Sequence, residues 1–404
     1  MMETGTNSDT ERSLRILIAN SSRKWISEAA HCFLLYKHLA ARGHEPVLAV
    51  REGWELESRA RQAGMDVVPL RFRSRFSLFS DWHDIRQFAR LVARRSIDIV
   101  HCHRGKDHWI AALALWLSRS KVPLIRSRHV VTPVSANPFN RWIFGRATSR
   151  IIAVSNAAAA SFSRIRPRWF ERSLAPKTRV IHPGVDLAAF SPDRRSEEWR
   201  RKFGLEEGDV WIGLIGRFQR IKGQYEFLRA AGIIARDYPR VWFLLAGRGS
   251  DKKRQRYRYI AESLGIEERL IMLGELEDVA SVIASLDLGV VASVGSEGSS
   301  RVILEYMASA RPIVATHVGA ISDLIEDGKT GRLVPPGDVA AMRDAICELL
   351  NSPEQRRRLG EAARVRAEEH FRFDQWISRT EEVYRDALGL LPGTLKSPDS
   401  SAPS

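Results

Sequence analysis

Along the chain, short apolar runs alternate with longer segments whose apolar positions recur every three or four residues, the patterns of buried strands and amphipathic helices. Residues 14–19 read as a strand, 28–41 as a helix that stops before Gly43, and 45–50 as a second strand. Further strands are expected at 98–103, 122–129 and 149–154, with an apolar helix at 109–117 between the first two. This succession belongs to an open parallel sheet with helical crossovers. The series breaks after Ile181-His182-Pro183-Gly184-Val185-Asp186, where Pro192-Asp193 and the charged run 194–202 are expected to form a linker. It then restarts. Strands at 210–215, 241–246, 270–273 and 288–293 alternate with helices at 224–237, 254–264 and 278–285, and another helix follows at 339–350. The prediction is an α/β protein of two Rossmann-like, doubly wound domains, residues 14–190 and 191–370, facing a central cleft. Residues 374–388 read as a long amphipathic helix, and the polar ends, 1–13 and 391–404, as tails.

Composition excludes several classes. At 404 residues, 44% apolar and 27% charged, the chain can bury a core in each domain and is not a disordered protein. Cys32, Cys102 and Cys347 stand far apart without a CxxC pair, so no zinc or disulfide framework is expected and a reducing, cytoplasmic setting is. Residues 1–13 lack the apolar centre of a secretory signal, and the longest apolar run, 109–117, is too short to cross a bilayer. Charge adds a direction. Residues 1–190 hold 31 Lys and Arg against 15 Asp and Glu, or +16, whereas 191–404 hold 32 against 33, or −1. The first half is therefore expected to meet something anionic, either phospholipid, a phosphorylated glycolipid or nucleic acid. With no nucleic-acid-binding module visible, the nucleic-acid option is set aside. Residues 71–79 interleave Arg71, Arg73 and Arg75 with Phe72, Phe76 and Phe79. They read either as a patch for the inner face of a membrane or as a loop whose rings dock on the core.

Candidate chemistry concentrates between residues 294 and 331. Val294-Gly295-Ser296-Glu297-Gly298-Ser299-Ser300-Arg301 opens a helix that carries Glu305, and a strand and a turn, Asp327-Gly328-Lys329-Thr330-Gly331, follow. Free amides at a helix start suit phosphate, and carboxylates accept from sugar hydroxyls, a combination that fits a nucleotide-sugar. Glu297 and Glu305 lie eight apart, about 80° out of line on a continuous helix, so the spacing works better with Glu297 in the loop. Glu305 could then take the ribose hydroxyls and Glu297 could sit nearer the sugar. A capping loop with an ordinary surface glutamate is the alternative for such a pair taken alone. Upstream, Gly213-Leu214-Ile215-Gly216-Arg217-Phe218-Gln219-Arg220-Ile221-Lys222-Gly223 ends a strand and enters a helix. There Arg217 could grip two phosphate oxygens and Lys222 add a mobile charge. No Asp-x-Asp occurs, so no metal clamp is expected at the diphosphate. His101 and His103 share a strand and are expected to be structural, with only one facing a cleft.

The Glu297 and Glu305 pair resembles the Glu-x7-Glu signature of the retaining family 4 glycosyltransferases, and Gly216-Arg217-Phe218 with Lys222-Gly223 resembles their diphosphate clamp. Leu245-Ala246-Gly247-Arg248-Gly249, Ser285-Leu286-Asp287 and Pro335-Pro336-Gly337-Asp338 match in the same order. The resemblance implies a GT-B fold whose final helix, residues 371–390, crosses back to the first domain. It assigns Arg217 and Lys222 to the donor diphosphate, Glu305 to the ribose and Glu297 to the donor sugar. The amides of Gly298, Ser299 and Ser300 would line the same site, and His129 resembles the histidine that reaches the donor sugar. The first loop departs from the family: Asn20-Ser21-Ser22-Arg23-Lys24-Trp25 stands where many members have a glycine pair. The expected activity is retaining, metal-independent transfer from a nucleotide-sugar, which is a substrate rather than a cofactor, to a lipopolysaccharide, glycolipid or other envelope glycan. A nucleotide-sugar epimerase and a non-catalytic, basic membrane-binding protein are the rival readings.

Overall fold

The computed structural model describes residues 12–163, 167–295 and 297–390. The first sheet contains β1 (Arg15–Asn20), β2 (Glu45–Arg51), β3 (Val67–Leu70), β4 (Ile99–Cys102), β5 (Leu124–Arg128), β6 (Arg150–Ala153) and β7 (Thr178–Val180). Its order is β3-β2-β1-β4-β5-β6-β7, and every pairing is parallel. The second contains β8 (Val210–Ile215), β9 (Val241–Ala246), β10 (Leu270–Leu273), β11 (Leu288–Val291), β12 (Ile313–Thr316) and β13 (Arg332–Val334). These run parallel in the order β10-β9-β8-β11-β12-β13. Strand order reverses at β1/β4 and at β8/β11, and ligands of such sheets bind beyond the carboxyl ends of the strands at those points.

Parallel strands covered on both faces must be apolar on both, as β1 is. Leu17 joins Val100, Ile110 and Phe88 beneath one helical layer, while Ile16 and Ile18 join Leu35, Ile125 and Ile377 on the other face. Ile377 belongs to the helix Phe373–Ala387, which follows the second sheet in sequence but packs on the first. Burying a side chain of that size contributes about 1.5–3 kcal/mol. Polar contacts fix the helix in register. Arg42 and His44 meet Glu381 at 2.8 and 3.0 Å, Arg150 meets Asp386, and the Tyr384 hydroxyl meets His101 Nδ1 at 2.7 Å. The two chain segments between the sheets touch where Val185 N donates to Phe371 O at 2.8 Å. Gly184 is required there because a Cβ would lie 2.8 Å from Phe373 Cα.

The charged run 194–202, expected as a linker, instead includes the helix Glu197–Lys202, whose buried Arg200 reaches Asp287 at 3.0 Å. The expected tails fall outside the described residues, apart from Arg12 and Ser13, and Arg12 pairs with Asp98 at 3.0 Å. Among the described residues no helix is long and apolar enough to cross a membrane.

Candidate active site

The loop after β8 is held against the loop after β11 by backbone contact. Gly223 has φ of 71°, and a Cβ there would lie 1.7 Å from Ala292 O, so only glycine permits the approach. Ile221 O accepts from Val294 N at 3.0 Å, locking the pair. As a result Lys222 Nζ lies 2.5 Å from Glu297 Oε1, which also accepts from Ser293 Oγ at 2.5 Å. Glu297 is buried, and its own backbone is gripped from the third side: Ala320 N donates to Glu297 O at 2.9 Å. Gly319, with φ of 56°, passes so close that a Cβ would be 2.2 Å from that same oxygen.

Ser300 is the N-cap of the helix Arg301–Ala308 and adopts a left-handed conformation, φ 40° and ψ 53°. The amides of Gly298, Ser299 and Ser300 have no acceptor among the described residues, and the buried Ser300 Oγ has none either. An anion placed there would meet donors and the positive end of the helix. Glu305, one turn in, is largely buried with Arg301 Nη2 at 3.3 Å. Burial raises its pKa and Arg301 opposes the rise. The half-buried Arg217 makes no guanidinium hydrogen bond to a described residue. Its pKa is lowered by burial, Glu297 opposing and Arg248 adding to the effect.

The first domain closes the site. His129 follows β5, and a Cβ on Gly298 would lie 1.9 Å from His129 O, so the glycine after Glu297 lets the two halves meet. Ser155 Oγ donates to Gly298 O at 2.9 Å, and Asp323 reaches Asn156 N and His182 Nε2 at 2.7 and 3.1 Å. On the opposite rim Arg248 forms a double bond-pair with Glu55, at 2.6 and 2.8 Å, and a second with Glu275.

Separate models of two families match the chain: "Glycosyltransferase Family 4" over residues 29–189 and "Glycosyl transferases group 1" over residues 209–352. A D-inositol 3-phosphate glycosyltransferase from Nocardia farcinica is 30% identical over 314 residues, covering 72% of this chain and 67% of the relative. A glycosyltransferase structure from Rickettsia africae superposes with a TM-score of 0.83 at 20% identity, over 93% of this chain and 99% of that one. Anabaena HepE in complex with UDP-glucose gives 0.77 at 20% identity, over 94% and 100%. The chain belongs to the family 4 glycosyltransferases. Its fold is GT-B.

In this family 4 glycosyltransferase the residues singled out from sequence meet around one cleft, but the expectation for the histidines is corrected. His101 and His103 are two apart, which places them on the same side of a strand rather than on opposite sides. Their ring centroids lie 4.3 Å apart. His101 is structural, between Tyr384 and Ser127, whereas His103 shares a 3.0 Å hydrogen bond with His129. His31, from the helix Ser27–Ala41, completes the group with its ring 4.7 Å from that of His129. Burial holds all three rings below the usual histidine range, His31 down to about 3, so they are neutral at pH 7. Their nitrogens lie within 4.8 Å of one another, close enough to ligate an ion. A divalent ion would bind against the charges of Arg301 and Arg126, which act on the same rings. Neutral imidazoles in that field are better placed to hydrogen-bond a sugar hydroxyl. Sequence reasoning missed His31, which sits among apolar helix positions without a local signal. It also passed over Arg126 and Arg128, although two arginines inside an apolar strand are such a signal.

Proposed function

We propose that this glycosyltransferase takes its sugar from a nucleotide-sugar and transfers it with retention of configuration, without a metal at the diphosphate. The observation that carries the reading is the convergence of Lys222, Glu297 and the free amides at Gly298–Ser300 beside Arg217. Arg217, Lys222 and the amides would hold the diphosphate and stabilise the charge that develops as it leaves. Glu305 would accept from the ribose hydroxyls. Glu297 and His129 would hold the transferred sugar, Glu297 acting as a stabilising carboxylate rather than a covalent nucleophile. When a donor binds, its phosphates would share Lys222 with Glu297. The UDP-glucose complex of HepE, a protein of the same fold, is consistent with such a donor.

A cavity of about 490 Å³ in the first domain, lined by His129, favours a second substrate and hence transfer over epimerisation. We place an envelope glycan or glycolipid there, with the protein peripheral to an anionic membrane surface. Phe76, Leu78 and Phe79 are 73%, 70% and 90% exposed beside Arg73 and Arg75, whereas Phe72 is buried in the core. The membrane patch is therefore the second half of residues 71–79, and the docking-loop reading applies to Phe72 alone. Transfer to a glycolipid extract, with the anomeric configuration of the product read by NMR, tests the reaction. Retention and full activity in EDTA are expected. An inverted product, or activity lost with EDTA and restored by magnesium or manganese, contradicts the proposal.

A further inference from the structure

The cavity beside His129 has a polar end that the donor site does not use. Arg126, on β5, is 4% exposed and faces this cavity. Its Nε and Nη1 have no hydrogen-bond partner among the described residues. A buried guanidinium without hydrogen bonds costs several kcal/mol, so its surroundings should supply a counter-charge. They do so poorly. The nearest carboxylate, Asp107, stands 3.9 Å from Nη1, and both its oxygens already accept backbone amides, from Ser21 and Arg104 at 2.8 Å each. Arg128, two residues on and on the same side of the strand, spends its guanidinium on Ser161 Oγ and Thr132 O. Arg104 lines the cavity too and pairs with Glu28, the one carboxylate in the lining. Three guanidiniums thus face a space bordered by a single acid. Burial and then Arg126 push the Arg128 pKa down to about 10, as expected for buried cations crowded together.

The rest of the cavity is of another character. Trp109, Phe139, Ile143 and Phe144 give it apolar lining. A second cavity, of about 370 Å³, shares Arg104 and Gly105 with the first and extends to Arg217 through Arg23, Lys24 and Arg51, with no carboxylate in its lining. Arg104 thus borders both cavities, one lined by His129 and the other by Arg217.

We infer that this cavity is an acceptor subsite for a phosphate monoester, with Arg126 as its anchor and Arg104 and Arg128 beside it. The three guanidiniums outnumber Glu28 and the buried Asp107, which leaves net positive charge for an anion, and a planar fork fits two phosphate oxygens. The inference rests on the proposed transfer reaction for the word acceptor, but the anion site itself can be read independently. The accepting hydroxyl would lie between the phosphate and His129, with the ring or chain that bears it against Trp109 and Phe139.

The test is calorimetric titration of glycerol 1-phosphate, with glycerol as control, into the parent protein and into Arg217→Ala, Arg126→Met and Thr132→Trp. Thr132 is an exposed residue of the cavity wall, so its replacement blocks the space without removing Arg126 and serves even where Arg126→Met does not fold. Glycerol phosphate should bind the parent and Arg217→Ala alike, weaken about tenfold or more in Arg126→Met and Thr132→Trp, and glycerol should not bind. Nucleoside diphosphate affinity should be the same in Arg126→Met as in the parent, which separates this site from the donor clamp. Phosphatidic acid vesicles form the second arm. Binding to vesicles alone, lost in Arg126→Met, assigns the phosphate to a lipid headgroup, and binding of glycerol phosphate assigns it to a soluble acceptor. Binding of neither, equal binding in Arg126→Met, or loss in Arg217→Ala overturns the inference.

Discussion

Glu305 shows how much one residue's surroundings decide. Sequence placed it on a helix with its neighbour Glu297 in a loop, and the structure agrees, but burial of the carboxylate could not be read from spacing. If the ionised form accepts from the ribose, nucleoside diphosphate affinity is full above its pKa and falls as pH drops through it. Because burial raises that pKa, the fall should begin above the ordinary glutamate value of about 4.3. Calorimetry across that range should show it in the parent and not in Glu305→Gln, and a level parent profile contradicts the role. Lys222, Arg217 and Gly298 were legible because their chemistry is local to short motifs, whereas His129 was singled out by family resemblance alone. Arg126, His103 and His31 were not, since their meaning depends on strands and a helix distant in sequence that only the fold brings together.

Elements built on a continuous apolar run were the most legible. The apolar strands β1, β8 and β9 were found nearly to the residue. The helices Leu78–Arg94 and Pro353–His370 were not. Pro353–His370 packs through one large side chain, Leu359, and the small residues Gly360, Ala363 and Ala367, which carry little hydrophobic signal, and Gly360 is needed because a Cβ would lie 2.3 Å from Ala310 O. The helix Phe373–Ala387 was visible as amphipathic, but its destination was implied only by family resemblance. Its attachment is testable at Tyr384→Phe, which removes the hydroxyl from His101 Nδ1 in a fully buried setting. A buried group left without its partner costs about 1–3 kcal/mol, so urea unfolding should move to lower midpoint with an unchanged slope. An unchanged midpoint would show that the hydroxyl contributes nothing to docking.

At the scale of the molecule, the division of charge follows the division of labour. The first half carries +16 against −1 in the second, and its cations line the cleft as well as the exposed loop with Phe76 and Phe79. Binding to anionic vesicles should exceed binding to neutral ones and fade with salt, because such attraction is screened beyond about 10 Å at 0.1 M. Neutralising the exposed Arg73 and Arg75 should weaken it by up to about 2 kcal/mol while nucleotide binding is unchanged. Equal sedimentation with both vesicle types at low salt would make the exposed rings a feature without a membrane role. The proposed donor site lies at the centre of this arrangement. Thermal shift of the parent and of Arg217→Ala, across nucleoside diphosphates and nucleotide-sugars, tests it most directly, since a bound ligand raises apparent stability by mass action. One base should stabilise the parent, and Arg217→Ala should bind it about 1.5–3 kcal/mol more weakly while unliganded stability stays level. A parent that responds to none of these ligands, or a variant that responds as the parent does, contradicts the account.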